Sequence, residues 1–600
     1  MTRSIVCYWR GINILDYRRI HPLYVLGFLT VLTFCNCLLN GFVGDDGFLI
    51  VHNTFFQKWE NVRLLFDPSV MTQSDNVFNS SQYFHTGSVA FRPVLSLSYF
   101  LDFALFQKNA WGYHLHSLLI HVLNVVGVYT LLRFLSDKKF LALSVALLFS
   151  LHPLKSDPVC SIGYRADLLA CLWMLGAFLS YAAGKGRGDG KKRRALGAVS
   201  YLCYALALLS KESTIIFPVL LISYDVVVKR EKVFSVPEFL GRYGGYLFLL
   251  FLYLFAYVFF MKNHTLQSMA YWGGNIFSHM GMMLQIFFHY ALSFIWPLHV
   301  KVLPPGYLPA WSGFSLWVIA CGCVFLVLLA VVYKKALKTD RLKSFFIIWF
   351  FVCLLPVANV VPIANPMANR FLYLPSIGIA YLLAVWMLAF MAYLKTRFSK
   401  ASYDKMFYVG IIGVCSLMTM TLNTAWKSDS VLALHMMKDY PHAPQGYLLL
   451  ALQVFDEGLL HEAKDLADKS LELGISDPRA YYIAGATRLT FLDKSKPYFE
   501  RCIQEFPQYA LAYVALGRIY FFKEDDNKAL HYFQKSIQLS SSYAAYAYMM
   551  QIYIKDGNIS EAQRLFHEAR QHIQKKEYLL SLENILKIAG DWRGPVDVGI

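Results

Sequence analysis

The chain has 600 residues, of which 57% are hydrophobic and only 16% charged. So much apolar surface exceeds what one water-soluble core can bury, so lipid is the expected solvent for much of the chain. The net charge of +17 lies mainly in short connections between apolar runs, a pattern of membrane topology with no place for a nucleic-acid partner.

A helix needs roughly 20 apolar residues to cross the hydrocarbon core. The sequence predicts about eleven spans, near 22 to 41, 112 to 133, 140 to 153, 165 to 183, 196 to 210, 213 to 228, 243 to 261, 313 to 333, 344 to 363, 371 to 394 and 406 to 424. The first follows Arg18 and Arg19 and lacks a small-residue cleavage site, so it reads as a retained anchor. With the N-terminus inside, Arg133, Lys138, Lys139, the run from Lys185 to Arg194 and the run from Lys334 to Lys343 share the cytoplasmic side, as positive-inside bias requires. The loops 42 to 111 and 262 to 312, and everything after about 425, then lie outside. Apolar stretches starting at Phe91 and Asn275 inside these loops read as helices along the membrane surface. The 11 cysteines fall mostly within apolar runs and read as reduced packing residues.

Ionisable residues at the ends of apolar spans are costly unless they are paired or do work. Immediately after the first span comes Gly44-Asp45-Asp46-Gly47, whose adjacent carboxylates suit a general base or a divalent-metal ligand. An ordinary polar helix end is the competing reading. Further along, Arg92, His114, His116, His121, His152, Lys155, Asp157, Arg165, Asp167, Lys211, Glu212 and Arg370 all fall at expected outer ends. Several cations facing carboxylates suit a phosphate-bearing substrate, whereas local pairs such as Arg165 with Asp167 or Lys211 with Glu212 would be purely structural. No phosphate-binding loop, dinucleotide fingerprint or zinc signature occurs in the right context, so a donor would be lipid-borne.

From about residue 444 the composition turns charged and amphipathic, with a period of roughly 33 residues, the length of a tetratricopeptide helix pair. Tyr447, Tyr481, Tyr513 and Tyr546 recur at one place in the unit, and Leu516-Gly517, Tyr520, Ala529 and Phe533 give the third unit its fullest pattern. About four units are expected, the second of them slightly short, with 577 to 589 capping the open end. Such arrays present a concave groove to protein segments.

The ordered set Gly44-Asp45-Asp46, Arg92-Pro93, Tyr113-His114-Leu115-His116, Leu151-His152-Pro153, Arg165-Ala166-Asp167-Leu168-Leu169, Ser210-Lys211-Glu212 and Arg370-Phe371-Leu372-Tyr373-Leu374-Pro375-Ser376 resembles the transmembrane and tetratricopeptide-repeat family of glycosyltransferases. The resemblance implies an all-α chain: a polytopic membrane domain of C-type glycosyltransferase fold over 1 to 427, then an extracytoplasmic tetratricopeptide-repeat solenoid over 428 to 600. It implies transfer of a sugar from a polyprenyl-phosphate donor to Ser/Thr hydroxyls of a protein acceptor held by the repeats, with inversion. By the same resemblance Asp45 or Asp46 is the base. Arg165, Lys211, Arg370, Arg92 and His152 surround the lipid phosphate, with Asp167, Glu212, His114 and Tyr373 as further site candidates. Lys155 stands where members usually carry a second histidine, and Asn369 replaces the usual Glu before Arg370. The segment Tyr271-Trp272-Gly273-Gly274 is more similar to bacterial members, which points to a bacterial inner membrane, with the endoplasmic reticulum as the alternative. The rival readings are a lipid- or glycan-directed transferase of the same fold, or a membrane scaffold whose repeats bind protein.

Overall fold

In the computed structural model, the residues described are 21–51, 53–66, 91–185, 190–231, 235–261, 276–302, 334, 340–359, 366–398, 402–540, 542–573 and 576–587. Helices dominate, and among the described residues there is no strand. Two compact units divide after His435.

Among the described residues of the first unit, six helices are long and apolar enough to cross a membrane: Pro22–Leu39, Ala110–Leu135, Ile162–Lys185, Val236–Phe259, Ser376–Arg397 and Tyr403–Trp426. Lys139–Leu151 and Pro153–Cys160 form a pair bent by 58° that brings the number to seven if it is one span. Pro153 has no N–H to continue the helical ladder, so the break falls at His152. The segments expected near 196 to 210, 213 to 228 and 344 to 363 are the helices Gly190–Leu208, Phe217–Ser223 and Arg341–Leu354. The first begins in a run of Lys and Arg, the second passes into a π-helical turn at Tyr224, and the third ends before Pro356. The span expected at 313 to 333 lies outside the described residues.

Packing in this unit relies on small residues and polar ladders, as association within lipid demands. Ala166, Ala170, Cys171, Ala177 and Ala182 line the buried face of Arg165–Lys185. The first and last spans are tied by Thr33 Oγ1 to Ser416 Oγ at 2.6 Å, by Asn36 donating to the Met420 carbonyl at 2.8 Å, and by Asn423 donating to the Thr33 carbonyl at 3.0 Å. Phe248, Phe251, Phe255 and Val258 of the Val236–Phe259 span are exposed, a face with lipid as its natural solvent. Pro93–Phe106 and Ile276–Ile295 are the helices of the two large loops.

The second unit is a stack of helical hairpins, Pro444–Asp456 with Leu460–Glu472, Pro478–Ala486 with Leu492–Glu505, Ala510–Phe522 with Asp526–Leu539, and Tyr543–Lys555 with Ile559–His572, closed by Lys576–Lys587. The apolar period therefore marks real hairpins, and the shortness of the second unit is a nine-residue first helix. At Gly517 an added Cβ would lie 2.6 Å from the Phe533 ring, so any side chain here would force that ring to shift. The apolar alanines Ala512, Ala515, Ala529, Ala545 and Ala562 are fully buried between hairpins.

Candidate active site

Asp46 is fully buried. Its Oδ1 accepts the Gly163 N–H at 2.7 Å, and its Oδ2 accepts those of Ile162 at 3.4 Å and Val43 at 3.3 Å. The carboxylate thus stitches the segment just after the first span to the turn that starts Arg165–Lys185. Burial pushes its pKa up, the three backbone donors oppose that and neighbouring Asp45 adds to it, leaving it at about 7. Gly44, with φ +61°, turns the chain in the left-handed region. Asp45 is only partly buried, and its charge reaches Tyr164, Asp46 and Asp429.

Tyr164 links this acidic turn to the cations. The Arg370 guanidinium lies 4.1 Å from the Tyr164 ring centroid and 5.1 Å from that of Phe371, a stacked arrangement that suits a planar cation. Among the described residues the guanidinium makes no hydrogen bond and no ion pair, so its N–H donors stay available. Buried Asp157 faces it, beside Asn369. Lys211 lies 5.7 Å from the same Phe371 ring and donates to Asp167 Oδ1 at 2.5 Å. Burial lowers the Lys211 pKa, with Asp167 acting the other way. Next to it, Arg92 grips Glu212 through two bonds, at 2.6 and 3.0 Å. Asp45, Asp46, Arg370, Lys211, Asp167, Arg92 and Glu212, drawn from distant segments, therefore form one continuous cluster. It sits at the start of Arg165–Lys185, and Lys185, at the other end of that helix, pairs with Asp225 at 2.5 Å. A helix of this length separates the acidic turn from the cationic stretch by about 30 Å.

Other residues implied by the resemblance are placed differently. Arg165 is fully buried. Its Nε donates to Ser117 at 3.1 Å, one terminal nitrogen to Ser98 and Asp102, and the other to the Tyr113 carbonyl at 2.9 Å. Every nitrogen is engaged within the protein, so Arg165 holds three helices together and is not placed to meet a phosphate. His152 stacks on Phe294 with centroids 4.2 Å apart, its Nε2 bonds the Phe294 carbonyl at 3.0 Å and its Nδ1 accepts the Leu154 N–H. It anchors Ile276–Ile295. His114 is buried and bonds the Gly41 carbonyl at 3.1 Å. Tyr373 is buried, with its hydroxyl 2.6 Å from His121 Nδ1 and 3.2 Å from Asn124 Nδ2.

Sequence reasoning missed Tyr164, which carries Arg370, Asp102, which neutralises Arg165, and Asp429, which accepts the Gly44 N–H at 2.6 Å. The position of Tyr164 directly before Arg165 was the available signal. Among the described residues no group of three or more His, Cys, Asp or Glu is arranged to hold a metal ion.

No family model matches the chain. It is similar to a protein O-mannosyl-transferase of Caenorhabditis elegans, 26% identical over 35% of this chain and 29% of that protein. It is also similar to protein O-mannosyl-transferase TMTC3 of Homo sapiens, 27% identical over 33% of this chain and 21% of that protein. A third relative is protein O-mannosyl-transferase Tmtc2 of Drosophila melanogaster, 29% identical over 39% of this chain and 26% of that protein. The resemblance read from the motifs is thus borne out in its relatives, and the match spans less than a third of the length of each. Among solved structures, the oligosaccharyltransferase of Archaeoglobus fulgidus matches at 16% identity and a TM-score of 0.41, over 72% of this chain and 58% of that one.

Proposed function

We propose that this multi-pass membrane protein is a glycosyltransferase of C-type fold that moves a sugar from a polyprenyl-phosphate donor to Ser or Thr hydroxyls of an extracytoplasmic protein. The observation that carries the reading is the clustering of the Asp45-Asp46 turn with Arg370 and Lys211 around Tyr164 and Phe371. A serine hydroxyl is a weak nucleophile, so a carboxylate that accepts its proton as the new bond forms acts chiefly in the transition state. We assign that role to Asp45, the partly exposed member of the pair, since Asp46 is fully buried and holds the backbone of the turn. The hydroxyl oxygen attacks the anomeric carbon from the face opposite the phosphate, the bond to the phosphate oxygen breaks with its electron pair, and configuration inverts. Arg370 receives the departing phosphate with charge-assisted bonds, and Lys211 adds a second positive charge nearby. Arg92 and Glu212, fixed on one another, shape the rim.

The apolar helices Pro93–Phe106 and Ile276–Ile295 provide a surface for the prenyl chain, and the repeat hairpins provide a groove for the acceptor segment. The site faces the outside of a bacterial inner membrane, with the lumen of the endoplasmic reticulum as the alternative. Sugar occupancy at the sequons Asn79, Asn263 and Asn558 separates these compartments. Mass spectrometry of secreted and envelope proteins from cells with and without this chain tests the function. Loss of hexose-sized adducts from Ser and Thr supports it, and an unchanged adduct profile overturns it. A chain ending after residue 442 that still modifies a lipid or glycan, but no protein, would redirect the assignment to a non-protein acceptor.

A further inference from the structure

The turn that carries Asp45 is held from both sides. On one side, Asp46 binds the backbone N–H groups of Ile162 and Gly163. On the other, the Gly44 N–H donates to Asp429 Oδ1 at 2.6 Å, and the Gly41 N–H donates to the Lys427 carbonyl at 3.0 Å. An acidic residue in the first turn of a helix, as Asp429 is in Asp429–Asp439, is ordinarily explained by the helix dipole. Here the cap is supplied by Ser428: its hydroxyl accepts the Val431 N–H at 3.3 Å, and its carbonyl accepts that of Leu432 at 2.9 Å. The Asp429 carboxylate is instead directed across to a residue almost four hundred positions earlier.

Gly44 lies in the left-handed region, where glycine has the most conformational freedom to lose. Its N–H needs a fixed partner if the next residue is to point one way. We infer that Asp429 is a positioning residue for the transfer reaction: by accepting the Gly44 N–H it fixes the backbone immediately before Asp45, and so the direction of the Asp45 carboxylate. This rests on the assignment of Asp45 as the base. Asp46 and Asp429 both accept backbone N–H groups that hold the turn carrying Asp45.

The test uses the full-length protein in lipid nanodiscs, with a polyprenyl-phosphate sugar and a Ser/Thr peptide. Asp429→Ala removes the acceptor for the Gly44 N–H, whereas Asp429→Asn keeps a carbonyl oxygen there and removes only the charge. The expected result is a kcat roughly tenfold lower for Asp429→Ala, with donor KM and thermal unfolding midpoint unchanged. Asp429→Asn should recover kcat to within about threefold of the parent, since the neutral amide still accepts one bond. A parental kcat in Asp429→Ala, an effect confined to KM or to the unfolding midpoint, or an Asp429→Asn as slow as Asp429→Ala would each overturn the inference. Asp45→Asn measured in parallel separates the two claims. If it retains activity the base assignment itself fails, and if it is inactive while Asp429→Ala is not, only the positioning role fails.

Discussion

The guanidinium of Arg370 is stacked 4.1 Å from the Tyr164 ring centroid, while Lys211 and Arg92 are each bound to a carboxylate. A stacked cation whose hydrogen-bond donors are unspent is held in place with those donors ready for a phosphate. Arg370→Ala is therefore expected to raise the donor KM at least about tenfold, the loss of one to two charge-assisted hydrogen bonds. Arg370→Lys should recover only part of this, because a lysine keeps the charge but loses the planar fork. Initial-rate measurements over a range of donor concentrations give both values.

Arg165 should behave in the opposite manner. Replacing it by Met strands the buried Asp102 carboxylate, together with Ser98 and Ser117, and such a break costs about 3–5 kcal/mol. The expected outcome is loss of folded protein on size-exclusion chromatography, with whatever fraction remains folded binding donor normally. A fully folded variant with weakened donor binding would return Arg165 to the phosphate site.

Burial raises the Asp46 pKa from 3.8 to about 7, so the folded protein holds this proton more tightly than the unfolded chain does. The associated stability is fully present below the unfolded value, is lost as pH rises from about 4 towards 7, and is flat above. Asp46→Asn cannot titrate. The difference in unfolding midpoint between parent and variant should therefore shift against the parent over that interval, as thermal unfolding in detergent at stepped pH would record.

In the repeat unit, Gly517→Val places new atoms inside the van der Waals surface of Phe533. Overpacking of this kind costs about 1–3 kcal/mol. Lower thermal stability of the chain is expected, and the pairing Gly517→Val with Phe533→Leu should recover part of it, since the smaller side chain makes room.

Much of this architecture was legible in the sequence because it rests on periodicity. The repeat hairpins follow from the recurrence of Tyr447, Tyr481, Tyr513 and Tyr546, and the longest spans from apolar length alone. Where each apolar segment ends was less legible, since Lys139–Leu151 and Phe217–Ser223 are apolar yet interrupted by Pro153 and by the π-helical turn at Tyr224. At the site, residue type pointed to the acidic turn, to Arg370 and to Lys211. It could not separate these from Arg165 and His152, whose roles are decided by Asp102 and by Phe294, partners distant in the chain. Asp429 was invisible for the same reason: nothing local to it announces a bond to Gly44.

The most direct measurement is the rate of sugar transfer to a Ser/Thr peptide by purified Asp45→Asn and Asp46→Asn proteins, each checked for folding and for donor binding. The expected result is that Asp45→Asn binds donor as the parent does and transfers at least about a hundredfold more slowly, the loss typical of a removed general base. Undiminished transfer by a folded Asp45→Asn protein would contradict the assignment of Asp45 as the proton acceptor.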